Sequence, residues 1–166
     1  GRTIALALSA AGANVAITYR GSSVEAEETV QDLAEFGVDA FAVRADLHEA
    51  LSIREAVASV VEEFERLDIL VNNAGVFESA ALEELTVEQW DGMYATNTRA
   101  PFLVAQAAFT HLRASRGRII NIGSLGGLHP WPTHAHYCTS KAALHMLSLT
   151  MAKALANGLP IGAMLC

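Results

Sequence analysis

The sequence has few cysteines, and it contains no apolar run of the roughly 20 residues that a membrane-spanning helix requires. Its two cysteines, Cys138 and Cys166, follow neither metal-ligand spacing nor the spacing of a disulfide framework. Two thiols in a chain of this size are typical of a reducing compartment. We therefore predict a cytoplasmic protein without a membrane partner.

Basic residues are also few: the chain has 11 Lys and Arg but 18 Asp and Glu, and its formal net charge is -7. A nucleic-acid-binding surface needs a basic stripe that neutralises phosphates, whereas the basic residues here are scattered. We predict no nucleic-acid partner. The chain of 166 residues is 52% apolar, which suffices for a buried core, and we predict a single domain over residues 1–166.

Apolar runs typical of strands alternate with amphipathic helical patterns along the chain. Strands are predicted at residues 15–19, 38–43, 68–72 and 118–122. Helices are predicted at residues 1–11, 23–37, 53–64, 86–97, 101–114 and 137–156. Ser23 is predicted as the N-cap of the second helix, and Thr86 with Gln89 as a capping box at the start of the fourth. Continuous apolar strands that are each followed by a helix are typical of a parallel sheet covered on both faces. The sequence therefore predicts an α/β fold with a doubly wound parallel sheet.

Small and polar residues follow each predicted strand. Ligands of open parallel sheets bind beyond the carboxyl ends of the strands, so we expect a flat ligand to lie across these segments. The segments are Arg20-Gly21-Ser22-Ser23, Ala45-Asp46-Leu47, Asn72-Asn73-Ala74-Gly75 and Gly123-Ser124-Leu125-Gly126-Gly127.

The stretch H-Y-C-T-S-K places Tyr137 four positions before Lys141 on a predicted helix, so both side chains share one face. An ammonium beside a phenol favours the phenolate, and such a tyrosine can exchange a proton with a carbonyl or alcohol oxygen. Ser124, at the end of a neighbouring strand, could hydrogen-bond the same oxygen. The pair also occurs by chance, as a lysine stem that covers a half-buried ring, and the spacing alone leaves both interpretations open.

Four motifs occur together and in one order: Asn72-Asn73-Ala74-Gly75, Asn97 in A-T-N-T-R-A-P-F, Ser124 in I-N-I-G-S, and Tyr137 with Lys141. In this order and spacing the chain resembles the short-chain dehydrogenase/reductase family. It is most similar to 3-oxoacyl-carrier-protein reductases and their pteridine-reductase-like relatives. The resemblance implies a Rossmann-like fold and NAD(P)H-dependent reduction of a ketone or 3-oxoacyl group to a secondary alcohol, or the reverse.

The resemblance also implies roles for the four motif residues. Tyr137 would be the acid/base, and Lys141 would stabilise its phenolate and bind the nicotinamide ribose. Ser124 would orient the substrate carbonyl. Asn97 would hold a water that links Lys141 to solvent. The substrate would be a small-molecule or acyl-carrier-bound carbonyl compound, and the full-length form would be a homo-oligomer, either a tetramer or a dimer.

Coenzyme preference is predicted from the end of the first strand, where NAD-preferring members usually carry a carboxylate. Here Tyr19 and Arg20 stand at that place, and no acidic residue follows until Glu25. A guanidinium can pair bidentately with a 2′-phosphate, so we predict NADP(H) in preference to NAD(H). The alternative is that Arg20 is only a surface arginine in a loop.

Further coenzyme contacts are implied by the same resemblance. Asp46 would lie beside the adenine, with Leu47 packed near it. Small side chains would let the backbone approach the adenosine half. These adenosine-side residues are Asn73, Ala74 and Gly75, while Gly1 would be the last glycine of the phosphate-binding turn.

The sequence departs from the family pattern at both ends. Members begin with a strand and a T-G-x-x-x-G-x-G turn, of which only Gly1 is matched, and residues 157–166 do not resemble the strand that normally follows. We therefore expect a sheet that lacks the family's first strand and last strands, in a fragment of a longer reading frame. The alternative function is an inactive fragment or coenzyme-binding module that retains the four motif residues.

The segment H-P-W-P-T-H-A-H carries His129, His134 and His136, which raises the possibility of a metal site. No acidic or thiol partner sits at ligand spacing, so we predict no metal. We predict instead that this loop and Trp131 line the substrate pocket. Trp90 and Met93 are predicted to lie in the core.

Overall fold

The computed structural model describes residues 1–154 and 161–164, and its elements fall into two compact units, Gly1–Glu65 and Arg66–Cys166. Each unit pairs parallel strands with helices, as the alternating pattern predicts. The prediction of a single domain over residues 1–166 stays a prediction. Within the described part of the chain, no helix is long and apolar enough to cross a membrane.

The first unit is a two-stranded parallel sheet with its helices. Its elements are α1 (Arg2–Ala10), β1 (Val15–Tyr19), α2 (Ser23–Ala34), β2 (Ala40–Arg44) and α3 (Ala50–Phe64). Burial of Ala5, Val15 and Leu33 ties α1 and α2 to β1. The register sets Tyr19 opposite Arg44, so both strands end at the same edge.

The second unit contains three parallel strands with β4 between β3 and β5. Its strands and α-helices are β3 (Ile69–Asn72), α4 (Val87–Tyr94), α5 (Ala100–Ser115), β4 (Arg118–Ile122), α6 (Ala135–Ala154) and β5 (Ile161–Met164). A π-helical turn, Ala95–Arg99, joins α4 to α5, and a 3-10 turn, Leu125–Gly127, follows β4. The predicted α/β class with parallel strands is therefore confirmed.

One strand was not predicted. The sequence analysis placed no strand after residue 156, yet Ile161–Met164 pairs in parallel with β4, with Ile119 opposite Ile161. Pro160 and Gly162 disfavour a strand locally, but pairing with a central strand supplies backbone hydrogen bonds whatever the local propensity. The predicted end of the last helix at residue 156 and the thiol of Cys166 fall within residues 155–160 and 165–166, which lie outside the described residues.

Helix starts were predicted with mixed success. The Thr86–Gln89 capping box is confirmed, since the Gln89 N–H donates to Thr86 Oγ1 at 3.2 Å and the Thr86 N–H donates to Gln89 Oε1 at 3.0 Å. For α2, the N-cap is Ser22 and not Ser23. Of the two side chains predicted in the core, Met93 is buried, whereas Trp90 is 37% exposed and stacks on Tyr94. The Trp90 prediction was wrong because helical spacing does not reveal how far the neighbouring elements cover a face.

A chain of buried polar side chains connects β3 and β4 of the second unit to α6. Asn72 Nδ2 donates to Asn121 Oδ1 at 2.8 Å, and Asn121 Nδ2 donates to Ser148 Oγ at 2.7 Å. All three side chains are buried. Buried polar groups are stabilising only while they are paired, so this chain fixes the position of α6 against the sheet.

We expect Asn121→Ala to lower the free energy of unfolding by about 2–4 kcal/mol, because it leaves the Asn72 amide and the Ser148 hydroxyl without this partner. Gln106→Ala, which removes an exposed amide on α5, is the matched control and should change it by under about 0.5 kcal/mol. Urea denaturation monitored by circular dichroism measures both. Equal effects of the two substitutions would contradict a structural role for the buried chain.

Candidate functional site

The first turns of α6 carry Tyr137 and Lys141 at the carboxyl end of β4. The 3-10 turn after β4 packs directly on this part of the helix, since a Cβ at Gly127 would lie 2.8 Å from the carbonyl carbon of Lys141. A side chain at position 127 would therefore require the backbone to shift. The glycine therefore lets the segment that carries Ser124 approach α6.

Lys141 is buried, with an exposed fraction of 6%, and its Nζ donates to the carbonyl oxygen of Ile122 at 2.8 Å. Ile122 is the last residue of β4, so its carbonyl marks the carboxyl edge of the sheet. Burial lowers the pKa of Lys141 from its ordinary value of 10.5, because desolvation penalises the charged ammonium. An ammonium also has more N–H donors than this one bond uses.

Asn97 lies in the π-helical turn between α4 and α5 and is fully buried. Its Oδ1 accepts the Val76 N–H at 2.9 Å, and its Nδ2 donates to the Val76 carbonyl at 3.0 Å and to Ser140 Oγ at 3.1 Å. The side chain thus joins the loop after β3 to α6. Single π-helical turns are frequent at functional sites because they re-aim a side chain that a regular helix would place elsewhere.

Gly75 brings the loop after β3 against this centre. A Cβ at position 75 would lie 3.3 Å from Asn97 Oδ1 and 3.5 Å from Lys141 Nζ. A side chain at position 75 would therefore press on the Asn97 amide oxygen and contact the Lys141 ammonium, and glycine lets the loop come this close. Gly75 therefore lies beside Asn97 and Lys141, and its predicted contact with the adenosine side of a coenzyme stays a prediction.

Ser124 follows β4 with an extended backbone and is buried. Its Oγ accepts the Gly126 N–H at 3.1 Å, which fixes the hydroxyl oxygen while leaving its hydrogen able to donate. A Cβ at Gly126 would meet the Tyr137 ring at 3.2 Å, so the turn that carries Ser124 lies against that ring. The second unit thus brings Ser124, Tyr137, Lys141 and Asn97 into one region.

Predicted coenzyme residues of the first unit lie where its two strands end. The Tyr19 carbonyl accepts the Ala45 N–H at 2.8 Å, and the exposed Arg20 follows directly. Asp46 closes a turn in which its Oδ1 accepts the His48 N–H at 2.9 Å. Leu47 is half-buried beside it, and Gly1 is the N-cap of α1.

Arg44 belongs to the same edge and was missed by the sequence analysis. It ends β2 opposite Tyr19, and its Nε donates to the Arg20 carbonyl at 3.3 Å. Two exposed guanidinium side chains therefore stand at one edge of the β1–β2 sheet. The register of the two strands was the missing information, because position 44 is remote from position 20 in sequence.

The three histidines of residues 129–136 have different surroundings. His129 is exposed, His134 is half-buried among aromatic rings, and His136 is fully buried in the first turn of α6. The prediction that this whole segment is a pocket-lining loop was therefore wrong for His136. Within the described ranges, no group of three or more His, Cys, Asp or Glu side chains could hold a metal ion.

Asn73 and Ala74, which were predicted, and Ser140, which was not, belong to the same part of the second unit. Asn73 and Ala74 are exposed in the loop after β3, next to Gly75. Ser140 was not predicted; it is fully buried, and its Oγ donates to the Tyr137 carbonyl at 2.8 Å while it accepts from Asn97. The only signal in the sequence for Ser140 was its position one helical turn from Tyr137, on the same face of the predicted helix.

Parallel strands in an α/β fold, with a tyrosine and a buried lysine where β4 ends, are features of a doubly wound oxidoreductase. Comparison with known proteins agrees, because the family model for short chain dehydrogenase matches residues 1–162. The chain belongs to the short-chain dehydrogenase family, whose members are oxidoreductases.

Relatives of known name or structure support the same family. A 3-oxoacyl-(acyl-carrier-protein) reductase from Staphylococcus aureus is 37% identical over 158 residues, which cover 95% of this chain and 64% of the relative. A dehydrogenase/reductase from Sinorhizobium meliloti is 41% identical with a TM-score of 0.94, covering 99% of this chain and 65% of that one. A short chain dehydrogenase from Burkholderia cenocepacia in complex with NADP is 36% identical with a TM-score of 0.91, covering 99% and 68%. The chain thus spans less than two thirds of the length of the first two.

The lowered pKa of Lys141 predicts a pH dependence of stability. Below the folded-state pKa the lysine is charged in both the folded and the unfolded protein, and only the folded protein carries the desolvation penalty of the ammonium. Above 10.5 the lysine is neutral in both states, so the penalty disappears. The free energy of unfolding of the parent, compared with that of Lys141→Met, should therefore rise as the pH rises towards 10.5, because the parent loses the desolvation penalty and the variant has none to lose.

Urea unfolding of the parent and Lys141→Met proteins at several pH values between neutral and alkaline measures this difference. Lys153→Met, which removes an exposed lysine from the last turn of the same helix, is the control. A difference between the parent and Lys141→Met that stays constant with pH would show that the ammonium is not desolvated.

Proposed function

We propose that the protein is an NADP(H)-dependent oxidoreductase that interconverts a ketone or 3-oxoacyl group and a secondary alcohol. The observation that carries this proposal is the buried Lys141 ammonium one helical turn from Tyr137, held by the carbonyl that ends β4. A structural lysine would extend its charged end into water. Here the charge is kept at a sheet edge where ligands of parallel α/β folds bind.

The second unit has features that fit the nicotinamide side of a coenzyme. Gly75 lets the loop backbone come close to Lys141 Nζ, and that ammonium has N–H donors beyond the one given to Ile122. Ribose hydroxyls are suitable acceptors for such donors. When bound, the coenzyme would supply the hydride, while the chain's own residues position the carbonyl and move the proton.

Tyr137 is the proposed acid/base. In the reducing direction its phenolic proton goes to the carbonyl oxygen as that oxygen becomes an alkoxide, and in the oxidising direction the phenolate takes the alcohol proton. The ammonium of Lys141 stabilises the phenolate that is left. Ser124 donates its hydroxyl hydrogen to the same oxygen and holds it in place.

Asn97 is proposed as a positioning residue. Its side-chain amide pairs with both backbone groups of Val76 and with Ser140, which fixes the Gly75 loop against α6. The water relay that the family resemblance implies for Asn97 stays a prediction.

The phosphate preference rests on the first unit. Arg20 and Arg44 stand exposed at the ends of β1 and β2, where the family places the adenosine ribose. Arginine pairs well with phosphate because its planar fork matches two phosphate oxygens. Asp46, Leu47, Tyr19 and Gly1 are the other proposed contacts of this unit, and Asn73 and Ala74 are those of the loop after β3.

The relative from Staphylococcus aureus is named for reduction of a 3-oxoacyl group on acyl-carrier protein. A carbonyl compound, either free or carried on such a protein, is accordingly the proposed substrate class here. Assembly into a homo-oligomer stays a prediction.

Tyr137→Phe should lower kcat for ketone reduction by about 100-fold or more, because it removes only the hydroxyl that transfers the proton. NADPH affinity, followed by the fluorescence of the bound coenzyme, should change less than about twofold. Tyr94→Phe is the matched control, since it removes the hydroxyl of a half-buried tyrosine on α4. Full turnover by Tyr137→Phe would place the acid/base elsewhere.

Arg20→Ala should raise the KM for NADPH by about 10- to 100-fold, the effect of losing a charge-assisted hydrogen bond of roughly 1.5–3 kcal/mol. The KM for NADH should change little, because NADH lacks the 2′-phosphate. Arg54→Ala, an exposed arginine on α3, is the control. If Arg20→Ala raises both KM values equally, Arg20 does not select the phosphate.

A further inference from the structure

Tyr137 is enclosed by three other aromatic side chains, Phe77, Trp131 and His134, which together with it we call the aromatic cluster. The Phe77 ring meets the Tyr137 ring edge-on at 4.7 Å, and the Trp131 ring stacks on it at 6.0 Å with an interplanar angle of 16°. His134 stacks on Phe77 at 4.8 Å. The proposed acid/base is thus one ring in a continuous group of π-systems.

The aromatic cluster is not part of a buried core. Phe77 is 59% exposed in the loop after β3, and Trp131 and His134 are half-buried in the segment before α6. Leu125 and Leu128, in the segment that begins at Ser124, are also more than half exposed. Large apolar side chains gathered on loops around a reactive hydroxyl are typical of a ligand site.

The loops that carry these rings are tied to each other and to the site. The Ala80 N–H donates to the Thr133 carbonyl at 2.9 Å, which joins the Phe77 loop to the Trp131 segment. The same Phe77 loop is fixed at Val76 by the two bonds to Asn97.

The segment that carries Trp131 is also held in place. Thr133 adopts a positive φ of 61°, and a Cβ at Gly126 would lie 3.2 Å from the Trp131 ring. Trp131 therefore packs on the glycine that follows Ser124 and Leu125. Rings held in this way lose little further freedom when a ligand binds.

We propose, on the basis of the function proposed above, that the aromatic cluster selects substrates in which the reacting carbonyl is attached to a planar aromatic ring. Rings pair favourably with other rings beyond the burial of apolar area, in stacked or edge-on arrangements like those that Tyr137 already makes. A flexible acyl chain can bury area on the same side chains but cannot form these ring pairs. Phe77 and Trp131 are thereby specificity-determining residues, distinct from the proton-transfer residues.

The test compares acetophenone with cyclohexyl methyl ketone, which have the same carbon skeleton and differ in the aromaticity of the ring, and adds ethyl 3-oxobutanoate as a linear ketone. The value of kcat/KM with NADPH is measured for each in the parent, Phe77→Leu, Trp131→Leu and Trp131→Phe proteins. Aryl and alkyl ketones differ in intrinsic reactivity, so the quantity compared is the acetophenone to cyclohexyl methyl ketone ratio in each variant relative to the parent. Phe102→Leu, which changes a part-exposed phenylalanine on α5, is the matched control.

Phe77→Leu and Trp131→Leu should each lower this ratio by about fivefold to tenfold, whereas Trp131→Phe should keep most of it. Phe102→Leu should leave the ratio as in the parent. An unaltered ratio in both leucine variants, with folding verified by circular dichroism, would overturn the inference, as would reduction of the linear ketone without reduction of acetophenone. If NADPH is oxidised with none of the three ketones, the proposed function falls and this inference falls with it.

Discussion

The ammonium of Lys141 is the charge around which the second unit is arranged. A cation with 6% of its surface exposed needs a polar partner, and the Ile122 carbonyl supplies one at 2.8 Å. The backbone of Gly75 and the amide of Asn97 lie close to the same charge. Desolvation lowers the pKa of this lysine and leaves a cation whose remaining N–H groups are available to a ligand.

Strand β4 is the element that relates the separate parts of the site. Its last carbonyl receives Lys141, the next residues form the Ser124 turn, and Asn121 within it joins β3 to α6 through Asn72 and Ser148. Because β4 lies between β3 and β5, its position is fixed on both sides. A central strand therefore determines where helix α6 presents its tyrosine, and the buried asparagines keep that placement unique.

The proposed proton transfer and the proposed substrate selectivity rest on different side chains of the same region. Proton transfer is proposed for a phenol, an ammonium and a hydroxyl on regular elements or directly after them, where the backbone is held by sheet and helix. The ring contacts proposed to select the substrate belong to Phe77 and Trp131 on loops. Loops can change their side chains without disturbing the strands, which is why recognition commonly resides there.

The α/β class, most element positions and the candidates Ser124, Tyr137 and Lys141 could be predicted from the sequence, because apolar periodicity and helical spacing are local properties. It could not reveal β5, whose local residues disfavour a strand, nor the exposure of Trp90. Only the three-dimensional structure shows that Asn97 turns towards Val76 and Ser140, that Arg44 ends beside Arg20, and that three rings meet around Tyr137. These outcomes depend on strand register, a π-helical turn and the approach of loops distant in sequence, and none of these leaves a periodic signal along the chain.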